Sequence, residues 1–448
     1  MNLIVDLVLT NAKAYIDNKI VDCSLAINRG KIFRIGKEAA MPKAEAKTDL
    51  KSMLVLPGLI DAHVHLRDQG KAYKEDFYSG TAAAAAGGIT TVLDMPNNNP
   101  VTMSVEALRK RIETAERKIL VNTGFYSEFP KKMMEIKKIV REGAVAFKLF
   151  MAEQIGGLNV DDDHALLEAF KAVSKLKTPV AVHAEDKTAL KKMEDKFKRA
   201  NRNTIEAFLN AHSENVEVKA VKRILNIAKQ TNERVHFCHI TTRNALKAII
   251  DAKKSGMLIT CETTPHHLFL SVNDLRQTGM LALTLPPPRE KPHIAALWNG
   301  IRKGWIDILA SDHAPHILKE KKAKSVWDVK AGIAGLETTF PLLLTKVKAG
   351  QLSITDVVRL MAEKPAEVFG LKNRARLKEG KHADLVVVNL DIKYRIDASK
   401  FHSKAKYSPF DGWKVEGKPV KTFVGGRLIM DEGEIVGEAG SGEIIRRE

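Results

Sequence analysis

The sequence predicts an α/β fold: a (β/α)8 barrel with a small β-sandwich domain formed from both chain termini. Three observations carry this. Apolar strand-like segments alternate with helical stretches through the middle of the chain. Both ends instead read as short strands broken by turns. At 448 residues the chain is too long for one small core and long enough for a large barrel plus a second unit.

The elements follow in order. LIVDLVLTNAKAYI, SLAIN and KIFRIG are apolar or alternating, and Arg29-Gly30-Lys31 reads as a hairpin turn. Eight strand candidates come next: LIDAHVHL, ITTVLDM, ILVNTGFYS, AVAFKLFM, PVAVHAE, RVHFCHI, MLITCETT and DILASDHAP. Helical stretches separate most of them, among them SVEALRKRIETAERK, DDDHALLEAFKAVSKL and NVEVKAVKRILNIAKQT. In the last, Val216, Ala220, Val221, Ile224, Ile227 and Ala228 recur at helical spacing. Eight such units over about 260 residues have the size of a (β/α)8 barrel, whose chemistry sits at the C-terminal ends of its strands. A doubly wound open sheet shares the alternation, but no GxGxxG follows a strand here. The alanine run 82–86 predicts close helix packing on the barrel. ADLVVVNLD and KTFVGGRLIMDEGEIV return to strands with Gly turns. The expected division is residues 1–55 with 375–448 for the β-domain and 56–374 for the barrel.

Composition narrows the function classes. Hydrophobic residues make up 44%, ordinary for a globular enzyme and against disorder. No apolar run reaches the roughly 18–20 residues of a membrane span. The N-terminus lacks a basic signal-peptide region. Three cysteines, Cys23, Cys238 and Cys261, make no disulfide framework, and the expected compartment is the cytoplasm. Net charge is +18. The Lys and Arg residues are dispersed, without a finger, an RNP motif or a basic arm, so a small anionic substrate is expected rather than nucleic acid.

Chemistry gathers at the strand ends. Residues two apart in a strand project to one side, so His63 and His65 in Asp61-Ala62-His63-Val64-His65 point together. Alone, the pair fits a metal grip or two hydrogen-bonded core histidines equally well. His183 in VAVHAE, His239 in VHFCHI and Asp312 in ILASDHAPH each stand where an apolar strand turns polar. Together they would converge on one barrel mouth. Lys148 lies within the apolar AVAFKLFM. A lysine in a dry strand must be neutral, paired or chemically altered. A neutral amine adds carbon dioxide to become a carbamate able to bridge two cations, whereas a buried Lys–Asp pair is the structural alternative.

HVH, the lysine on the fourth strand, single histidines on the fifth and sixth, and SDHAPH on the eighth resemble the amidohydrolase superfamily, nearest its dihydroorotase branch, over essentially the whole chain. The resemblance implies hydrolysis of a cyclic amide at two zinc ions. His63, His65 and Asp312 would hold one, His183 and His239 the other, with carboxylated Lys148 as bridge and Asp312 as proton shuttle. It further implies conversion of N-carbamoyl-aspartate to dihydroorotate in pyrimidine synthesis. Homo-oligomerisation and association with aspartate transcarbamoylase rest on family habit alone.

Allantoinases, hydantoinases and dihydropyrimidinases share that metal set, so the substrate is read elsewhere. Arg67 follows the motif on the same side by strand alternation, and guanidinium pairs with carboxylate bidentately. Asn97 and His316 match the resembling family's positions for a substrate carboxylate. The alternative for Arg67 is a rim salt bridge with Asp68 or Glu75. A non-catalytic scaffold is the reading from another class, against which all six ligands are present. Two departures stand out. Leu285-Pro286-Pro287-Pro288-Arg289 lacks the Asn that opens the matching loop of many bacterial relatives. Lys148 occupies a position where some of them carry Asp. Some relatives bind a third zinc through Cys and Glu at the positions of Cys238 and Glu262, but alternation turns Cys238 away from His239, predicting a buried thiol. His266 and His267 are expected to pack around the site. The lysines of 319–330 read as a solvated face, and the glycines that follow as a close cover over it.

Overall fold

A computed structural model describes residues 4–447; residues 1–3 and 448 of the terminal-domain prediction lie outside the described residues. The chain begins with β1 (Ile4–Ile16), β2 (Lys19–Asn28), β3 (Lys31–Gly36), β4 (Lys43–Asp49) and β5 (Leu54–Pro57). Eight barrel strands follow: β6 (Leu59–Val64), β7 (Ile89–Asp94), β8 (Asn122–Glu128), β9 (Ala146–Phe150), β10 (Val180–His183), β11 (Val235–Phe237), β12 (Ile259–Thr263) and β13 (Ile308–Leu309). The chain then returns through β14 (Leu385–Arg395), β15 (Lys414–Val424), β16 (Arg427–Asp431), β17 (Glu434–Ile435) and β18 (Ile444–Ile445).

The barrel strands pair in parallel in chain order from β6 to β13. Every residue of β6, β7 and β8 is buried, the pattern of parallel strands covered on both faces. No regular ladder joins β13 to β6. Instead the seam is bridged at the site end, where His65 N donates to His313 O at 2.8 Å and Ser311 N to the Asp61 carboxylate at 3.1 Å. Asp61 is buried at that seam, and burial pushes its carboxyl up to about 7 against the opposing Ser311 and His63 hydrogen bonds.

Helices begin where short polar residues cap them. Ser104, Asp162, Asp186 and Thr242 each accept a backbone N–H of the first turn. The helix Glu214–Thr231 buries all six residues read from its period, Val216 through Ala228. The alanines of helix Phe77–Ala86 pack with almost no exposure as far as Ala85. Among the described residues no helix is long and apolar enough to cross a membrane.

The terminal strands form a separate, largely antiparallel sheet in the order β17-β16-β15-β14-β5-β1-β2-β3, with β4 paired to β1. β1 bends at Asn11, whose φ is 52°. Its first part pairs with β4 and its second with β5. Leu9, Leu25, Ile32, Val55, Leu385 and Phe423 build a second core there. The Arg29-Gly30 turn has φ of 50° and 73°, the left-handed pair that a tight hairpin requires. β18 pairs not with this sheet but with barrel strand β8.

Candidate active site

The sequence-read residues meet at the C-terminal ends of the barrel strands, in a cavity of about 390 Å³. His63, His65, His183, His239, Asp312, Arg67, Asn97 and His316 all line it. Lys148, in the middle of β9, lies beneath the cavity floor and has no exposed surface.

The imidazoles are aimed by their outer nitrogens. His63 Nδ1 contacts Glu262 Oε1 at 2.5 Å, His65 Nδ1 contacts Asn97 Oδ1 at 2.7 Å, and His183 Nε2 contacts Glu185 Oε2 at 2.9 Å. With those nitrogens donating, the opposite nitrogens carry lone pairs toward one another and toward Asp312. His63 Nε2 and His65 Nε2 lie 3.3 Å and 3.2 Å from Asp312 Oδ1. His183 Nδ1 lies 3.0 Å from His239 Nε2. Two ligand atoms on one tetrahedral zinc are about 3.3 Å apart, so both sets have the spacing of a shared cation. Burial holds His63 down to about 4 and His239 well below the usual imidazole range, the neutral form that a metal needs. Glu262 also accepts from His236 Nε2 at 3.0 Å. Burial pushes the Glu262 carboxyl up, but the two imidazoles outweigh it and hold the group ionised.

Lys148 has no carboxylate within ion-pair reach among the described residues. Its Nζ is 3.1 Å from Cys238 Sγ and 4.9 Å from the Phe150 ring centre. The Lys–Asp alternative is thus absent. Cys238 is buried, as expected, but it does not face away. His239 has a φ of 34°, which breaks the strand alternation. Ligand atoms of Cys238, Glu262 and His63 therefore lie close enough together for a further cation, beside the group His63, His239 and Asp312.

Arg67 also arrives by a turn rather than by alternation. β6 ends at Val64, and Arg67 has a φ of 62°. Only 7% exposed, its guanidinium touches His316 Nε2 at 3.4 Å, and its Nε has no partner. The rim-pair alternative is excluded. Asp68 takes Lys118 at 2.7 Å, while Glu75 takes Ser79, His313 and Ser403. Asn97 uses its oxygen on His65, so it orients a ligand as well as facing the cavity. His316 contacts Lys74 Nζ at 3.1 Å and Ala331 O at 3.1 Å. Lys71 and Lys330 add positive charge at the mouth, where Glu153 is the opposing acid.

Several contributors escaped the sequence reading. Glu185 stands two residues after His183, a spacing that alternation could have flagged. Arg289, in the loop without Asn, donates from Nε to Thr241 Oγ1 at 2.9 Å and from Nη1 to His212 O, tying that loop to the segments beside His183 and His239. Lys321 is no part of a solvated face. At 1% exposure its Nζ donates to Leu283 O at 3.0 Å and Gly332 O at 2.9 Å, pinning two loops that roof the cavity. Gly332 is required there: at φ 135° a Cβ would meet Ala314 O at 2.5 Å. His266 and His267 are buried with ring centres 4.3 Å apart and tilted by 54°, and His267 is bonded to Thr264 and Pro286 O.

Residues 54–429 match the amidohydrolase family. The chain is 37% identical over 443 residues to a dihydroorotase of Methanothermobacter thermautotrophicus, covering 99% of this chain and 98% of the relative. It is 37% identical to a dihydroorotase of Bacillus cereus, covering 93% and 96%. Among solved structures, an L-hydantoinase (dihydropyrimidinase) from Arthrobacter aurescens superposes with a TM-score of 0.95 at 31% identity, covering 99% and 100%.

Proposed function

Because the chain belongs to the amidohydrolase family and is a cyclic-amide hydrolase, we propose that it is a dihydroorotase, interconverting N-carbamoyl-L-aspartate and L-dihydroorotate in de novo pyrimidine (UMP) synthesis. The observation that carries this reading is Arg67. A buried guanidinium that faces the cavity without a carboxylate partner is completed by a substrate that brings one. Lys71 and Lys330 near it favour an anion, whereas Lys74 is paired with Glu320 at 2.8 Å.

His63, His65 and Asp312 would hold one zinc and His183 and His239 the other, with Lys148, once carboxylated, as the ligand common to both. The fit rests on the ligand spacings and on the burial of Lys148 with no carboxylate within ion-pair reach among the described residues. Bound there, two cations acidify a water and polarise the scissile carbonyl. Asp312, 8% exposed at the cavity floor, takes the proton of the attacking water and returns it to the leaving amide nitrogen. In the reverse direction it takes the proton of the attacking carbamoyl nitrogen. Arg67 grips the ring carboxylate, with Asn97 and His316 beside it, and so fixes which carbonyl faces Asp312.

The overlap with the hydantoinase structure favours a second reading, hydantoinase or dihydropyrimidinase. Turnover of dihydroorotate, dihydrouracil, hydantoin and allantoin by one zinc-loaded preparation decides between them. Dihydroorotate should give the highest kcat/KM; preference for an uncharged ring would remove the dihydroorotase assignment.

A further inference from the structure

Three of the four candidate ligand imidazoles are held from behind, and two of the holds extend one residue further. His63 leans on Glu262, which His236 holds in turn. On the other side His183 Nε2 meets Glu185 Oε2 at 2.9 Å, and His212 Nδ1 meets Glu185 Oε1 at 2.7 Å. Glu185 has no exposed surface and His212 is 2% exposed. His212 closes the short helix Ile205–Ala211, and its ring stacks on Phe208 with centres 4.1 Å apart. Its carbonyl is held by Arg289. The fourth imidazole, His239, has a buried Nδ1 without a partner.

We propose that Glu185 and His212 are positioning residues for one metal of the pair, the one held by His183 and His239, and that this chain sets the affinity of that metal separately from its neighbour. The inference rests on the two-zinc reading above. It follows from an asymmetry. His63 and His65, joined by Asp312, are both buttressed, whereas the His183–His239 set has a single buttressed imidazole. Glu185 keeps the His183 Nε2 protonated, so that Nδ1 presents its lone pair. Without that carboxylate the ring is held less firmly and is freer to turn, and nothing behind His239 compensates. His212 occupies the second oxygen of Glu185 and fixes the carboxylate plane. Neither residue touches His63, His65 or Asp312.

Zinc binding to the full-length apo-protein, read by competition with a chromophoric chelator, tests this without reference to turnover. Wild type should bind two zinc ions. Glu185→Gln should weaken one of them by about 10–100-fold, the range for loss of a carboxylate behind a ligand histidine, and leave the other within about threefold. His212→Phe keeps the stack on Phe208 but removes the donor, and should weaken the same ion; His212→Asn restores a donor near the Nδ1 position and should recover most of the affinity. Zinc-free thermal unfolding identifies a variant that has not folded, in which case the His212 pair carries the comparison. Equal weakening of both ions, or wild-type affinities in Glu185→Gln and His212→Phe, would overturn the assignment. A wild type that takes up no zinc would overturn the two-zinc reading itself, and this inference with it.

Discussion

Replacing Arg67 with Met removes the guanidinium and keeps an unbranched stem of similar reach. The structure sets the magnitude. Among the described residues Arg67 has no carboxylate partner, and its one side-chain contact, His316 Nε2, is at 3.4 Å. A ring carboxylate therefore meets a donor fork that nothing else occupies. Two charge-assisted hydrogen bonds, each worth about 1.5–3 kcal/mol, amount to about 3–6 kcal/mol, or two to four powers of ten in kcat/KM. The folded protein meanwhile loses little, because burial of this cation pulls its pKa down even against the opposing charges of Asp312, Asp94, Glu320 and Glu75. Steady-state kinetics on dihydroorotate and on dihydrouracil, the same ring without the carboxylate, separate the effects. The variant should lose about 10²–10⁴-fold on dihydroorotate, change less than about threefold on dihydrouracil, and melt no lower than wild type. Equal losses on both rings, or a loss under tenfold on dihydroorotate, would show that Arg67 does not bind the ring carboxylate.

Other outcomes follow from neighbouring residues. Lys148→Ala should lower turnover by about 10³-fold or more and bind fewer zinc ions, with short carboxylic acids partly restoring both; native mass spectrometry of wild type should show the mass of an added carbon dioxide that the variant lacks. Lys321 yields a pH dependence. Burial pulls its pKa from the ordinary 10.5 down to about 7. Below about 7 the folded and unfolded forms both carry the proton, and the cost of burying it is fully present. Between about 7 and 10.5 only the unfolded form carries it, so stability rises with pH. Urea unfolding should show wild type gaining about 2 kcal/mol on Lys321→Met between pH 7 and 9; a difference that does not change with pH would contradict it.

Much of the architecture was legible because parallel barrel strands, covered on both faces, are written as unbroken apolar runs that end where polar ligands begin. His63 and His183, inside β6 and at the end of β10, could be placed by that rule alone. Legibility failed wherever the backbone left the strand period. At Arg67 and His239, φ of 62° and 34° re-aims the side chain, which brings Arg67 to the cavity by a turn and lets His239 face the site from the residue next to the inward-facing Cys238. It also failed where a partner comes from far along the chain. Glu185 and His212 are 27 residues apart and meet only because the end of the helix Ile205–Ala211 brings His212 back to Glu185. Lys321 shows a third limit. In a lysine-rich stretch nothing local distinguishes the one ammonium that turns inward to satisfy two loop carbonyls. The return of β18 to the barrel is similarly unmarked, since two isoleucines carry no sign of which sheet they join.

The central claim is that these strand ends form a two-metal centre acting on a ring that bears a carboxylate. Stripping the protein of metal and titrating zinc back while following dihydroorotate hydrolysis tests it most directly. Turnover should be negligible in the stripped protein and should rise to saturate at two zinc ions per chain. Full activity without metal, or no dihydroorotate turnover once two zinc ions are bound, would contradict it.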